Sequence, residues 1–95
     1  MSKKILIIDD DPSIRSFYKE FLREEGFEVS EAGNAITGLK LYKELKPDII
    51  LLDINMPDKS GLDILKEIKK KDENIPVFLL TAHEDYKRSF SSLYA

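Results

Sequence analysis

Residues 47–61 read PDIILLDINMPDKSG, and the parsing of this stretch decides the fold. Ile49, Ile50, Leu51 and Leu52 form an apolar run without alternation. Pro47 and Asp48 precede it, and the turn-forming residues Asn55, Pro57, Asp58, Lys59, Ser60 and Gly61 follow. A short run apolar on both faces reads as a strand buried on both sides, the habit of parallel sheets covered by helices. Asp53 is the first polar residue beyond the run. It stands at the carboxyl edge, where open α/β sheets hold their ligands. A carboxylate at that position serves chemistry or caps a helix.

Outward from this strand, residues 5–8 (ILII) form a second apolar run that ends in Asp9, Asp10 and Asp11. Pro12 suits the first position of a helix, with Asp11 as its N-cap. Ile14, Phe17, Tyr18, Phe21 and Leu22 then recur at helical spacing, and Gly26 ends the element. Residues 27–32 alternate apolar and polar, which predicts a half-exposed edge strand. Gly33 and Asn34 turn the chain into a second helix reaching about Lys46, with Ala35, Leu39, Tyr42 and Leu45 inward. Ser60 caps a third helix with Leu62, Leu65 and Ile68 facing in. Pro76 opens a fourth strand at residues 77–80, which ends at Thr81-Ala82. From Glu84 a stripe of Tyr86, Phe90, Leu93 and Tyr94 predicts a last helix.

The alternation β-α-β-α-β-α-β-α calls for a parallel sheet with right-handed crossovers. The alternating second strand belongs at an edge and the fully apolar first and third at the centre. The expected fold is therefore a doubly wound α/β sheet of order 2-1-3-4. A crevice opens where the winding reverses between strands 1 and 3, and Asp9, Asp10 and Asp53 all reach it.

With 95 residues, 42% of them hydrophobic and 35% charged, the chain allows one domain with a modest core. A net charge of -3 offers no basic footprint for nucleic acid, so direct binding to it is not expected. No apolar run approaches the ~20 residues that span a bilayer, and residues 1–11 do not form a secretory signal. Cysteine is absent, and a cytoplasmic location is the expectation.

Gathering three carboxylates is unfavourable: two unit charges ~5 Å apart repel by about 3 kcal/mol at an effective dielectric of ~20. A divalent cation relieves this, and an oxygen-only donor set favours Mg2+, with Mn2+ as an alternative. Retention of a proton by one carboxylate is the dry alternative. For Asp11, next to Pro12, helix capping is the stronger reading. For Asp10 and Asp53 together a metal site is stronger, with Asp9 assisting through water or a hydrogen bond. A carboxylate at such a site also attacks phosphorus to give an acyl phosphate, and Asp53 suits this best. Thr81 offers a hydroxyl to a phosphoryl oxygen, although as a β-branched residue it equally suits a strand. His83 reads as a surface residue and Lys69, Lys70 and Lys71 as a solvated run.

ILIIDDDPSIR at residues 5–15, PDIILLDINMPDKSG at residues 47–61 and VFLLTA at residues 77–82 together resemble the receiver domain of two-component response regulators. The resemblance runs in register over essentially the whole chain, residues 1–95. It implies the doubly wound fold with strand order 2-1-3-4-5. It also implies Asp53 as phosphoacceptor and Asp9 and Asp10 as the acidic pair. Asp10, Asp53 and the main-chain carbonyl of Asn55 would ligate Mg2+, and Thr81 would be the switch hydroxyl. The implied phosphoryl donor is a phosphohistidine on a sensor histidine kinase or phosphotransfer protein, and such a domain is not a turnover enzyme.

The family pattern continues into a fifth strand, which carries a lysine, and a fifth helix, whereas this sequence stops at Ala95. The expectation is a truncated receiver with strand 4 as an exposed edge and part of one sheet face bare. Such surfaces favour association, so a homo-oligomer through strand 4 is expected. Two alternatives stand beside the phosphoacceptor. One is a binding or oligomerising module without phosphotransfer. The other is a Mg2+-dependent aspartyl phosphohydrolase, disfavoured by Asn55 where such enzymes carry a second aspartate.

Overall fold

The computed structural model describes residues 2–58 and 60–80. Four strands, β1 (Lys4–Ile8), β2 (Glu28–Ala32), β3 (Ile49–Asp53) and β4 (Val77–Leu80), alternate with α1 (Pro12–Glu24), α2 (Ala35–Leu45) and α3 (Gly61–Lys71). All strand pairs are parallel, and the order is β2-β1-β3-β4, as expected. The hydropathy logic holds: the alternating strand is at the edge, and the continuous apolar runs are central. Thr81, His83 and the helix expected from Glu84 lie outside the described residues, as does Lys59.

Each strand splits its side chains between two layers. Leu6, Ile8, Ile50, Leu52, Val77 and Leu79 pack with Ala35 and Tyr42 of α2 and with Ile64 and Ile68 of α3. Ile5, Ile7 and Leu51 face the other way, toward Tyr18 and Leu22 of α1. Fully burying a side chain of this kind stabilises by ~1.5–3 kcal/mol, so the first layer dominates the core. Gly38 of α2 admits its close approach to β1, because a Cβ there would stand 2.8 Å from two Ile8 carbons.

The caps match the sequence reading. Asp11, Asn34 and Ser60 accept from the backbone N–H of Ser13, Thr37 and Leu62. Gly26, at φ +97°, turns the chain after α1. α2 ends differently, with Lys46 itself left-handed at φ 50°.

Two helix faces differ from expectation. In α3, Gly61, Ile64 and Ile68 are buried, whereas Leu62 is 48% exposed. The buried stripe is i, i+3, i+7 from Gly61, because the backbone of that residue packs against the end of β3. In α1, Tyr18 and Leu22 pack on the sheet, while Phe17 and Phe21, one position earlier, are exposed. Phe17 instead meets Tyr18 edge-on at 5.2 Å between ring centroids.

Candidate functional site

The register of the central strands builds the site. Ile8 lies opposite Leu52, so the next positions, Asp9 and Asp53, leave the sheet side by side. Alternation puts both on the side of Ile5, Ile7, Ile49 and Leu51. Asp10 follows directly at the mouth. One carboxylate oxygen from each of Asp9, Asp10 and Asp53 lies within 4.8 Å of the others. Asp9 and Asp53 are 5% and 6% exposed, whereas Asp10 is open to solvent. The sequence-predicted acids therefore meet in one cluster. Asn55 lies two residues beyond Asp53, exposed in the loop to α3. Leu80, the residue before Thr81, is opposite Asp53.

Local backbone geometry fixes the two buried carboxylates. Oδ1 of Asp9 accepts from Asp11 N at 2.9 Å, and Oδ1 of Asp53 accepts from Asn55 N at 3.0 Å. Asp9 N in turn donates to Ala32 O at 3.1 Å, extending the β1–β2 ladder by one step. Gly61 lets α3 begin against the end of β3. A Cβ at this position would lie 2.2 Å from Asp53 O and 2.4 Å from Ile54 Cα. Any side chain there displaces the end of β3 or the helix.

Burial pushes the Asp53 carboxyl up to about 6, helped by the Asp9 charge and by contact with Asp10; the Asn55 N–H opposes the rise. Burial also raises Asp9, with the Asp10 and Asp11 charges adding to it against the Asp11 N–H and Arg15. Among the described residues no cationic side chain forms an ion pair with any of the three acids. Among the described residues the cluster is thus an oxygen-only pocket with no direct ion pair.

Sequence reasoning missed the side chains that tie the neighbouring loops. Arg15 of α1 donates from Nη1 to Asp9 O and from Nε to Glu31, both at 2.8 Å. Lys19 also pairs with Glu31. The signal was available: Arg15 and Lys19 are four apart on one helix face, and Glu31 is a polar position on the adjacent edge strand. Asp58 accepts from Ala35 N at 3.1 Å and from Ile36 N at 3.2 Å, joining the loop after Asp53 to the start of α2. A contact across 23 residues leaves no periodic trace. A cleft of about 510 Å³ lined by Tyr42, Lys46, Pro47 and Lys71 opens at the opposite end of the sheet, away from the acids.

The family model described as the response regulator receiver domain matches residues 5–94. The chain belongs to this family. This receiver is 42% identical over 83 residues to the chemotaxis protein CheY of Thermotoga maritima, covering 86% of this chain and 69% of that one. It is 40% identical over 83 residues to sporulation initiation phosphotransferase F of Bacillus subtilis, covering 87% of this chain and 67% of that one. The crystal structure of the response regulator TrrA of Thermotoga maritima, in complex with Mg2+-BeF, matches with a TM-score of 0.84 and 43% identity. That match covers 95% of this chain and 78% of TrrA. The receiver's acidic pocket is formed by Asp9, Asp10 and Asp53. No helix among the described residues is long and apolar enough to cross a membrane.

Proposed function

We propose that this receiver is the phosphoacceptor of a two-component system, taking a phosphoryl group onto Asp53 from a phosphohistidine of a sensor histidine kinase or phosphotransfer protein. The observation that carries the reading is the convergence of the three carboxylates within 4.8 Å at the sheet's carboxyl edge. In the transfer, a carboxylate oxygen of Asp53 forms a bond to phosphorus as the P–N bond breaks, and the imidazole leaves with the electron pair. The β3 strand and the Asn55 N–H hold the carboxylate for this attack. The domain works once per phosphoryl event and is not a turnover enzyme.

The donor set fits a hard divalent cation: three convergent oxygens, unpaired with any cationic side chain among the described residues. Asp10, Asp53 and the main-chain carbonyl of Asn55 would hold Mg2+ (or Mn2+), with Asp9 acting through water. When bound, the cation neutralises charge between the carboxylates and the incoming phosphoryl oxygens. Thr81 is assigned the switch hydroxyl that moves toward the phosphoryl group, and the consequent change alters a partner surface. A cytoplasmic setting, where such donors act, completes the reading.

Beryllofluoride with Mg2+ tests it without a kinase. Backbone amides of residues 9–11 and 53–55 should shift in a saturable way, and Asp53→Asn should abolish the beryllofluoride response. An unperturbed spectrum, or shifts that persist in the Asn variant, would move the acceptor elsewhere or remove it.

A further inference from the structure

We propose that Arg15 is a positioning residue for the acidic cluster, its guanidinium fixing the peptide that joins Asp9 to Asp10. The proposal rests on the reading that the cluster takes a divalent cation. The two acids are neighbours in sequence but differ in burial, so the orientation of the peptide between them decides where the Asp10 carboxylate stands relative to Asp53. That peptide's carbonyl, Asp9 O, accepts from Arg15 Nη1 at 2.8 Å. The same guanidinium is anchored from the other side by Glu31 at 2.8 Å, and Lys19 pairs with that carboxylate too.

The arrangement is built rather than incidental. The Arg15 side chain is only 19% exposed, and Gly33 leaves room beside it: a Cβ there would be 3.2 Å from Nη1. With Asp9 N bonded to Ala32 O, the end of β1 is tied to the end of β2 by one main-chain and one side-chain link. A planar fork spans a carbonyl and a carboxylate at once, whereas a lysine ammonium reaches such a pair without that fixed geometry.

Charge and position make opposite demands on Arg15, which makes the proposal testable. A nearby positive charge by itself repels Mg2+, so deleting it tightens binding if charge is all that matters. If Arg15 positions the peptide, deletion loosens binding despite the removed repulsion. The experiment titrates wild type, Arg15→Gln, Arg15→Lys and Glu31→Gln with MgCl2 alone. It follows backbone amide shifts at residues 9–11 and 53–55, with the amides of residues 5–8 as the check that the sheet is intact.

Wild type should saturate. Both Arg15 variants should bind about 10-fold more weakly, the low end of what loss of a partner one step removed from a metal costs. Glu31→Gln, which keeps the bond to Asp9 O and lies on the edge strand, should weaken binding less and provides the comparison if an Arg15 variant fails to fold. Equal or tighter Mg2+ binding by Arg15→Gln, or full retention by Arg15→Lys, overturns the positioning role. A wild type with no Mg2+ response overturns instead the functional reading beneath it.

Discussion

Replacing Asp53 by Asn should stabilise the metal-free protein, and the gain should disappear in acid. The asparagine is close to isosteric and keeps an oxygen to accept the Asn55 N–H, now at 3.0 Å, while the charge is lost. Burial, then the Asp9 charge and the Asp10 contact, raise the Asp53 carboxyl from its ordinary 3.8 to about 6. The folded state thus binds this proton more tightly than the unfolded state. Above about pH 6 the ionised carboxylate penalises folding in full; as pH falls from there to the unfolded value the penalty shrinks, and below it is gone. The difference between the two values corresponds to roughly 3 kcal/mol, and adjustment of Asp9 and Asp10 around a single charge brings the expected gain to about 1–3 kcal/mol.

Urea unfolding with EDTA, followed by circular dichroism at pH 7.5 and pH 4, measures it. At pH 7.5 the variant should be the more stable by that amount, or by roughly 4–8 °C per kcal/mol in Tm. At pH 4 the two proteins should differ by less than about 0.5 kcal/mol. An Asn variant no more stable than wild type at pH 7.5 would refute the electrostatic reasoning. A gain that persists undiminished at pH 4 would show that it came from packing.

Three further outcomes follow from the same geometry. Gly61→Ala should destabilise by about 2 kcal/mol or more in urea unfolding, because its Cβ would press on the Asp53 and Ile54 backbone, and Mg2+ binding should weaken with it. Ile64→Ala should cost about 2–5 kcal/mol while Leu62→Ala costs less than about 0.5 kcal/mol, a contrast that thermal unfolding of the two variants reads directly and that reverses if Leu62 faces the core. Hydrogen bonds from Lys19 and then Arg15 lower Glu31 below its ordinary 4.5, so its contribution is present above pH 4.5 and lost as pH falls through the folded value. Glu31→Gln should therefore destabilise by about 0.5–1 kcal/mol at pH 7, less in high salt, and by nothing measurable once acid has protonated Glu31 in the folded protein.

Most of the architecture was legible because strands buried on both faces and a strand buried on one carry different hydropathy signatures. Ile49 to Leu52 and Ile5 to Ile8 announced the centre of the sheet, and the alternation before Ala32 announced its edge. That order alone brings Asp9 and Asp53 to adjacent strand ends, so the acidic cluster was readable before any coordinates. Helix phase was less so. In α3 the choice between Leu62 and Ile64 depends on where Gly61 touches β3, a contact between backbones that no side-chain pattern records. In α1, five apolar residues fit one stripe, yet the sheet takes Tyr18 and Leu22 and leaves Phe17 and Phe21 outward. Asp58 and the Arg15 bond to Asp9 O escaped for a related reason: each partner is a backbone atom, and such partners are anonymous in sequence.

The central claim is that acids brought together by strand order receive phosphorus at one of them. Intact mass and peptide mapping after incubation with acetyl phosphate and Mg2+ test it most directly. A single labile phosphoryl adduct should form, map to Asp53 and be missing from Asp53→Asn and from samples held in EDTA. An adduct on another residue, or none on a folded wild type that binds Mg2+, would contradict it.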